Sequence, residues 1–395
     1  MSITTIKRRA SRTLSSRPIR VSLLVLLALA PWLYLIKLLQ LASLAGNRIA
    51  ASHFDSLSTT QRCQQNPFRS PGYLNTSLSS NETDYEHNRW IPFASNCSTP
   101  SLLPLVRGRE PLPWLQNRAI VLFGSSVDRW HLVYFCELAH GTVEIIQPSH
   151  PLSPLQLPPD FLQPGERIVP GAQPHICRVE EYNLMLVFVF HYGLEEEDHW
   201  RKVKIGRPEE RHWTPPGSFE ARLSHLLLPL LSNLNISISS IDLIEVSSYE
   251  WDLAYWQQAS RYRNSGAERH LQDGHETFLP FYVRRLQEVA EVLINTFPRR
   301  HPQQMPILWR VPHVSGRNDP APRFAKAMER ATRFVFAEGG SLSQSFELDE
   351  TGAILEGGGQ SSWMGDHTHP AKYPHAVVWS DYVLWRLRKS ITGEV

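Results

Sequence analysis

The stretch Arg118-Ala119-Ile120-Val121-Leu122-Phe123-Gly124-Ser125-Ser126-Val127-Asp128-Arg129 decides how the chain is read. Ala119 to Phe123 is a short apolar run ending on a glycine, the pattern of a buried strand. Val127 to Leu138 can follow it as a helix. A serine at such a strand-to-helix turn exposes its Oγ and lies beside backbone N–H groups suited to a developing oxyanion. Near the C-terminus, Trp363-Met-Gly-Asp-His-Thr-His-Pro370 places Asp366 and His369 one helical turn apart in sequence. Serine, histidine and aspartate are the material of a serine acyl-transfer centre.

Working outward, Thr142 to Gln147, Tyr182 to Phe190, Ile241 to Val246 and Met305 to Trp309 have strand patterns. Phe219 to Leu231, Pro280 to Phe297, Arg323 to Phe336 and Tyr373 to Leu387 have helical ones, and Pro151 to Pro174 reads as loop. Strands alternating with helices predict an α/β domain, a mainly parallel sheet covered by helices on both faces. In such folds chemistry gathers beyond the carboxyl ends of the strands. The chain has no internal repeat, and Gly357-Gly-Gly359 reads as a hinge or tight loop rather than a phosphate loop.

The formal charge of +2 hides an asymmetry: residues 1–20 carry six cations and no acid, and without them the rest stands at −4. No basic stripe remains outside that tail, which argues against nucleic acid as a partner. Residues 21–45 are predominantly apolar, with Lys37 as the one charge, and would make a helix about 37 Å long, enough to cross a bilayer core of about 30 Å. The cationic flank then predicts a cytosolic tail (1–20), a signal anchor (21–45) contacting membrane lipid through one helix, and a lumenal remainder. A cleaved signal peptide is the competing reading. Residues 46–115 read as a stem and irregular cap, and 116–395 as the main domain. Sequons at Asn75, Asn81, Asn96 and Asn235 mark candidate glycosylation sites. The four cysteines, Cys63, Cys97, Cys136 and Cys177, favour sequential pairing because each loop closes locally. No Cys-x-x-Cys pair is present, so neither thiol redox chemistry nor a cysteine zinc site is expected.

Ser126 is the leading nucleophile, with Ser125 in competition and a plain helix cap as the non-catalytic alternative. His369 is the leading base and Asp366 its orienting group. Asp366 with His367 and His369 also has enough donors for a metal, although the spacing is a weak zinc signal, and no bound metal is expected. Arg310, His313 and Asn318 belong to a polar segment that suits substrate binding, support of the centre or a solvated loop. Trp251 belongs to an aromatic run, 249–256, that suits either sugar stacking or the core. Arg129 can face an anionic transition state or cap the helix.

These motifs resemble the membrane-anchored PC-esterase type of the SGNH/GDSL superfamily, which includes glycan O-acetyltransferases. The resemblance covers roughly 115–390. Where that family has Gly-Asp-Ser, this chain has Gly124-Ser125-Ser126; the arginine three residues on is Arg129, and Asp366-His-Thr-His369 matches the late Asp-x-x-His motif. An intermediate Asn-Ser-Gly-Leu-Trp-Asp block matches Ser247-Ser-Tyr-Glu-Trp-Asp252 only in part, so Ser247 replaces the asparagine of the oxyanion hole and Tyr249 the glycine. The resemblance implies a three-layer α/β/α domain behind a single transmembrane helix, in a type II protein of the Golgi or endoplasmic reticulum. It further implies O-acyl, chiefly O-acetyl, transfer to a glycan or polysaccharide, without a bound cofactor and with acetyl-CoA or an acyl ester as donor. Ser126, Arg129 and Ser247 would support the oxyanion. Hydrolysis of the same esters, or glycan binding with weakened catalysis, are the alternatives.

Overall fold

Strand β1 (Ala119–Gly124) is the axis of the computed structural model. The described residues are 66–75, 88–194 except 156, 159 and 163, then 210–263, 270–298, 307–311, 322–337, 342–354 and 368–393. The other strands of the main sheet are β2 (Thr142–Ile145), β3 (His175–Val179), β4 (Leu184–Phe190), β5 (Leu243–Ser247), β6 (Ile307–Arg310) and β7 (Phe346–Asp349). Their spatial order is β7-β6-β5-β1-β4-β3-β2.

The sheet is mixed, which corrects the expectation of a mainly parallel one. β7, β6, β5, β1 and β4 run parallel, whereas β4 pairs antiparallel with β3 and β3 antiparallel with β2. The cause is the connection between β3 and β4. One turn of 3-10 helix, Glu180–Tyr182, and Asn183 at φ 47° join them, far too short for a parallel crossover. β3 itself follows the proline-rich loop and was not anticipated, nor was β7.

Alternation along each strand divides the core between two faces. Val121, Phe123, Val187, Val189, Ile244, Val246 and Trp309 pack on one side with apolar residues from 219–233 and from two long helices. Those helices are His270–Thr296 and Pro322–Phe336. Ile120, Leu122, Leu186, Phe188, Leu243 and Leu308 face the opposite side. There they meet helix α1 (Ser126–Leu138) and the C-terminal helix Val377–Thr392. Phe68, Leu103, Val106 and Leu115, from the segment read as stem and cap, complete that layer.

A buried disulfide joins Cys136 on α1 to Cys177 on β3. Cys97 is also disulfide-bonded, and Cys63, its expected partner, lies outside the described residues. Asn96 and Asn235 are exposed and Asn75 is half-buried, while Asn81 is outside the described residues.

The membrane expectations are corrected as well. No helix among the described residues is long and apolar enough to cross a membrane. Residues 21–45, on which the anchor was placed, lie outside them. The transmembrane helix, the lipid partner and the type II Golgi or endoplasmic-reticulum placement therefore have no structural support and are set aside.

Asp381 ties the C-terminal helix to the segment before the main domain: its carboxylate accepts the backbone N–H groups of Leu102 at 2.8 Å and Leu103 at 2.7 Å. Burial pushes its pKa up to about 7, against those two hydrogen bonds. The unfolded chain releases this proton near pH 4, while the folded chain keeps it to about pH 7. This group therefore makes folding stability fall as pH rises through that window. In urea unfolding between pH 4 and pH 8, wild type should lose roughly 2–4 kcal/mol more than Asp381→Asn.

Candidate functional site

Residues at the carboxyl ends of the parallel strands come into one row. Gly124 lies opposite Phe190, while Arg310 lies opposite both Ser247 and Asp349. The chain leaves β1 at Gly124 and enters α1 through a capping box. The Ser125 hydroxyl accepts the Val127 N–H at 3.2 Å, and the Asp128 carboxylate accepts the Ser125 N–H at 2.7 Å. Both donors are helix-terminal groups that would otherwise lack partners. Ser126 then occupies the first helical position, half-buried.

The C-terminal segment brings His369 over this turn, with Nε2 2.8 Å from the Ser126 Oγ. In the tautomer protonated on Nδ1, Nε2 accepts the serine hydroxyl proton. Trp130, one turn further along α1, packs edge-on against the imidazole at 6.4 Å and stacks on Tyr134 at 5.1 Å. The two residues read from opposite ends of the sequence thus form a serine–histidine pair. Asp366 lies outside the described residues, so no Ser-His-Asp triad is complete among them. His313, Asn318 and His367 are outside them too.

Beneath this pair sits a buried polar cluster that sequence reasoning missed. Asp128 receives Arg310 Nε at 3.0 Å, Arg310 Nη2 at 3.2 Å and the Ser247 hydroxyl at 2.6 Å. Arg310 also donates to the Ser247 Oγ at 3.0 Å and lies 3.7 Å from Glu245. Burial raises the Asp128 pKa, but the Arg310 charge and the hydrogen bonds from Arg310, Ser247 and Ser125 overcome it and hold the carboxyl below its ordinary range. Glu245 has a weaker counterweight. Burial, then the charges of Asp349 and Asp128, push its pKa well above the ordinary value despite Arg310 and a hydrogen bond from Trp379. Burial likewise raises Asp349 to about 6.

Gly124 is required here by space. A Cβ would stand 2.1 Å from Asp128 Oδ2 and 2.6 Å from the Ser247 Oγ. Gly193, at φ +88°, has a similar role, since a Cβ would meet Asp252 Oδ1 at 2.7 Å. Asp252 accepts the Leu194 N–H at 2.7 Å and the Ser248 hydroxyl. His191 bridges β4 and β5 with Nε2 2.7 Å from the Ser247 carbonyl, and burial lowers its pKa to about 4, which keeps it neutral.

Several expected site residues consequently point elsewhere. The Ser247 hydroxyl is committed to Asp128, and Arg310, 2% exposed, is a strut rather than a solvent-facing binding group. Trp251 packs edge-on against Phe190 and Tyr192 at 5.4 and 5.1 Å. Arg129 is half-buried against Gly171, with its guanidinium 5.1 Å from the Trp130 ring centroid. Ser125 donates to Glu250 at 2.8 Å. Asp128, His131 and Glu245 have donor atoms within 4.8 Å of one another. Arg310 already supplies the cation to both carboxylates, so this cluster is poorly matched to a metal ion. One signal was available beforehand: Ser125-x-x-Asp128 is a capping-box pattern.

No known protein family and no curated protein sequence matches this chain. Among solved structures, it is similar to an acetylxylan esterase from Geobacillus stearothermophilus. The two are 11% identical with a TM-score of 0.31, over 69% of this chain and 94% of that one. That likeness is too distant to carry function, which rests here on the geometry of the site.

Removing the Asp128 charge leaves Arg310 buried without its partner. Asp128→Asn should therefore lower unfolding free energy by roughly 3–5 kcal/mol, and Gly124→Ala by roughly 1–3 kcal/mol through overpacking. Urea unfolding measures both, and losses below about 1 kcal/mol in each would contradict a supporting role for this carboxylate.

Proposed function

We propose that this protein is a serine-type O-acyl esterase, acting on acetyl or similar acyl esters of a carbohydrate. The observation that carries the reading is the 2.8 Å contact between Ser126 Oγ and His369 Nε2 at the strand-to-helix turn. His369 Nε2 takes the hydroxyl proton as Ser126 Oγ bonds to the ester carbonyl carbon. The tetrahedral adduct collapses with cleavage of the ester C–O bond, and the alcohol leaves with the proton returned by His369. Water, deprotonated by the same nitrogen, then releases the carboxylic acid and restores the serine.

The oxyanion needs donors that are not already engaged. The Ser126 N–H is one: it lies in the first turn of α1 and has no acceptor among the described residues. Asp366 orients His369 in this reading. The ester is its own acyl donor, so no cofactor is required. Transfer to a glycan is the same route with a sugar hydroxyl in place of water, and acetyl-CoA or an acyl ester as donor.

The inward commitment of Ser247 supports a second reading, a glycan-binding protein with weakened catalysis. Loss of one oxyanion donor costs about 3 kcal/mol in transition-state stabilisation.

Ser126→Ala and His369→Ala should each lower kcat on an acetylated sugar or a nitrophenyl acetate by about 10³-fold or more. Circular dichroism should remain that of wild type. Turnover surviving in a folded Ser126→Ala protein contradicts the mechanism. Absence of turnover in wild type, together with carbohydrate binding, favours the second reading.

A further inference from the structure

Arg129 differs from the buried arginines of this fold. Arg310 pairs with Asp128, Arg285 with Glu220 and Glu288, and Arg386 with Glu347. Arg222 donates to the carbonyls of Phe190, Thr214 and Pro216. Arg129 has no hydrogen bond or ion pair among the described residues. Its surroundings are uncharged: the Trp130 face at 5.1 Å, the Gly171 backbone and buried His175. A Cβ at Gly171 would come within 1.9 Å of Arg129 Nη1, so the guanidinium lies directly on that glycine. The His175 Nδ1 is 2.9 Å from the Gln173 carbonyl, and burial lowers the pKa of this histidine to about 4, so it is neutral. A half-buried guanidinium without a counter-charge is costly to fold around unless an anion completes it.

Position adds the rest. Arg129 is three residues after Ser126 on α1, hence on the same side of the helix and one turn along. We propose that Arg129 forms an anion subsite for a carboxylate carried by the ester substrate. This rests on the hydrolase reading and narrows its substrate class to acidic esters. A guanidinium matches a carboxylate through two parallel N–H donors, which fixes orientation as well as affinity. The carboxylate can sit on the alcohol side, as in a uronic acid, or on the acyl side, as in a dicarboxylic monoester.

Two matched pairs of esters separate these sources. An acetylated methyl glucoside is compared with the corresponding acetylated methyl glucuronoside, and nitrophenyl butyrate with nitrophenyl hemisuccinate. Wild type should favour the charged member of one pair by about tenfold or more in kcat/KM, mainly through KM. In Arg129→Gln that ratio should fall to about one, and Arg129→Lys should restore part of it. Equal losses on both members would assign Arg129 to the oxyanion and overturn the subsite, as would a preference that survives in Arg129→Gln. If no ester is turned over, the hydrolase reading fails and calorimetry still reads the subsite. Methyl glucuronoside or monomethyl succinate should then bind wild type and Arg129→Lys, but not Arg129→Gln. Absence of binding to wild type, or equal binding to Arg129→Gln, overturns the proposal.

Discussion

One carboxylate holds the working end of this fold together. Asp128 accepts the Ser125 N–H from its own turn, the Ser247 hydroxyl from β5 and two donors of Arg310 from β6. Three neighbouring strand ends and the first turn of α1 are thereby fixed to a single group, and the nucleophile candidate is the next residue but one before it. Such a group is expensive to bury, and Arg310 with four hydrogen bonds offsets the cost. The close approach has a covalent condition as well, since any side chain at Gly124 would occupy the space of the carboxylate.

The same cluster governs where the base arrives. Trp379, on the C-terminal helix, donates to Glu245 at 3.2 Å and stacks on His131 of α1 at 4.5 Å between ring centroids. That helix is therefore keyed to the underside of α1, and the residues leading into it carry His369 across to Ser126. Hydrogen bonding at 2.8 Å between groups 243 residues apart is a consequence of this keyed packing. A site held by buried, hydrogen-bonded neighbours has little freedom to drift, which is what positioning of a nucleophile and its base demands.

Much of the core architecture was legible. Ala119–Phe123 announced the central strand by unbroken apolar character, and the C-terminal helix, expected over Tyr373 to Leu387, runs Val377–Thr392. The pairing of Ser126 with His369 followed from residue chemistry and a motif resemblance, without any local signal of proximity. The antiparallel edge was hidden because β3 is a five-residue strand after a proline-rich loop, and direction depends on the length of the β3–β4 connection. The role of Arg310 stayed open in the sequence for a general reason: an arginine at a strand end looks the same whether it faces solvent or a buried aspartate. Asp128 carried a capping-box signal, but its second role as counter-ion depends on strands more than one hundred residues away.

The central claim is that Ser126 forms a covalent acyl intermediate with His369 as its base. Intact-protein mass spectrometry after brief exposure to an activated acetyl ester tests it directly, in wild type, Ser126→Ala and His369→Ala. The account predicts one added acetyl group on wild type, localised by peptide mapping to Ser126 and missing from both variants. An acetyl group at another residue, or one that forms equally fast without His369, would contradict it.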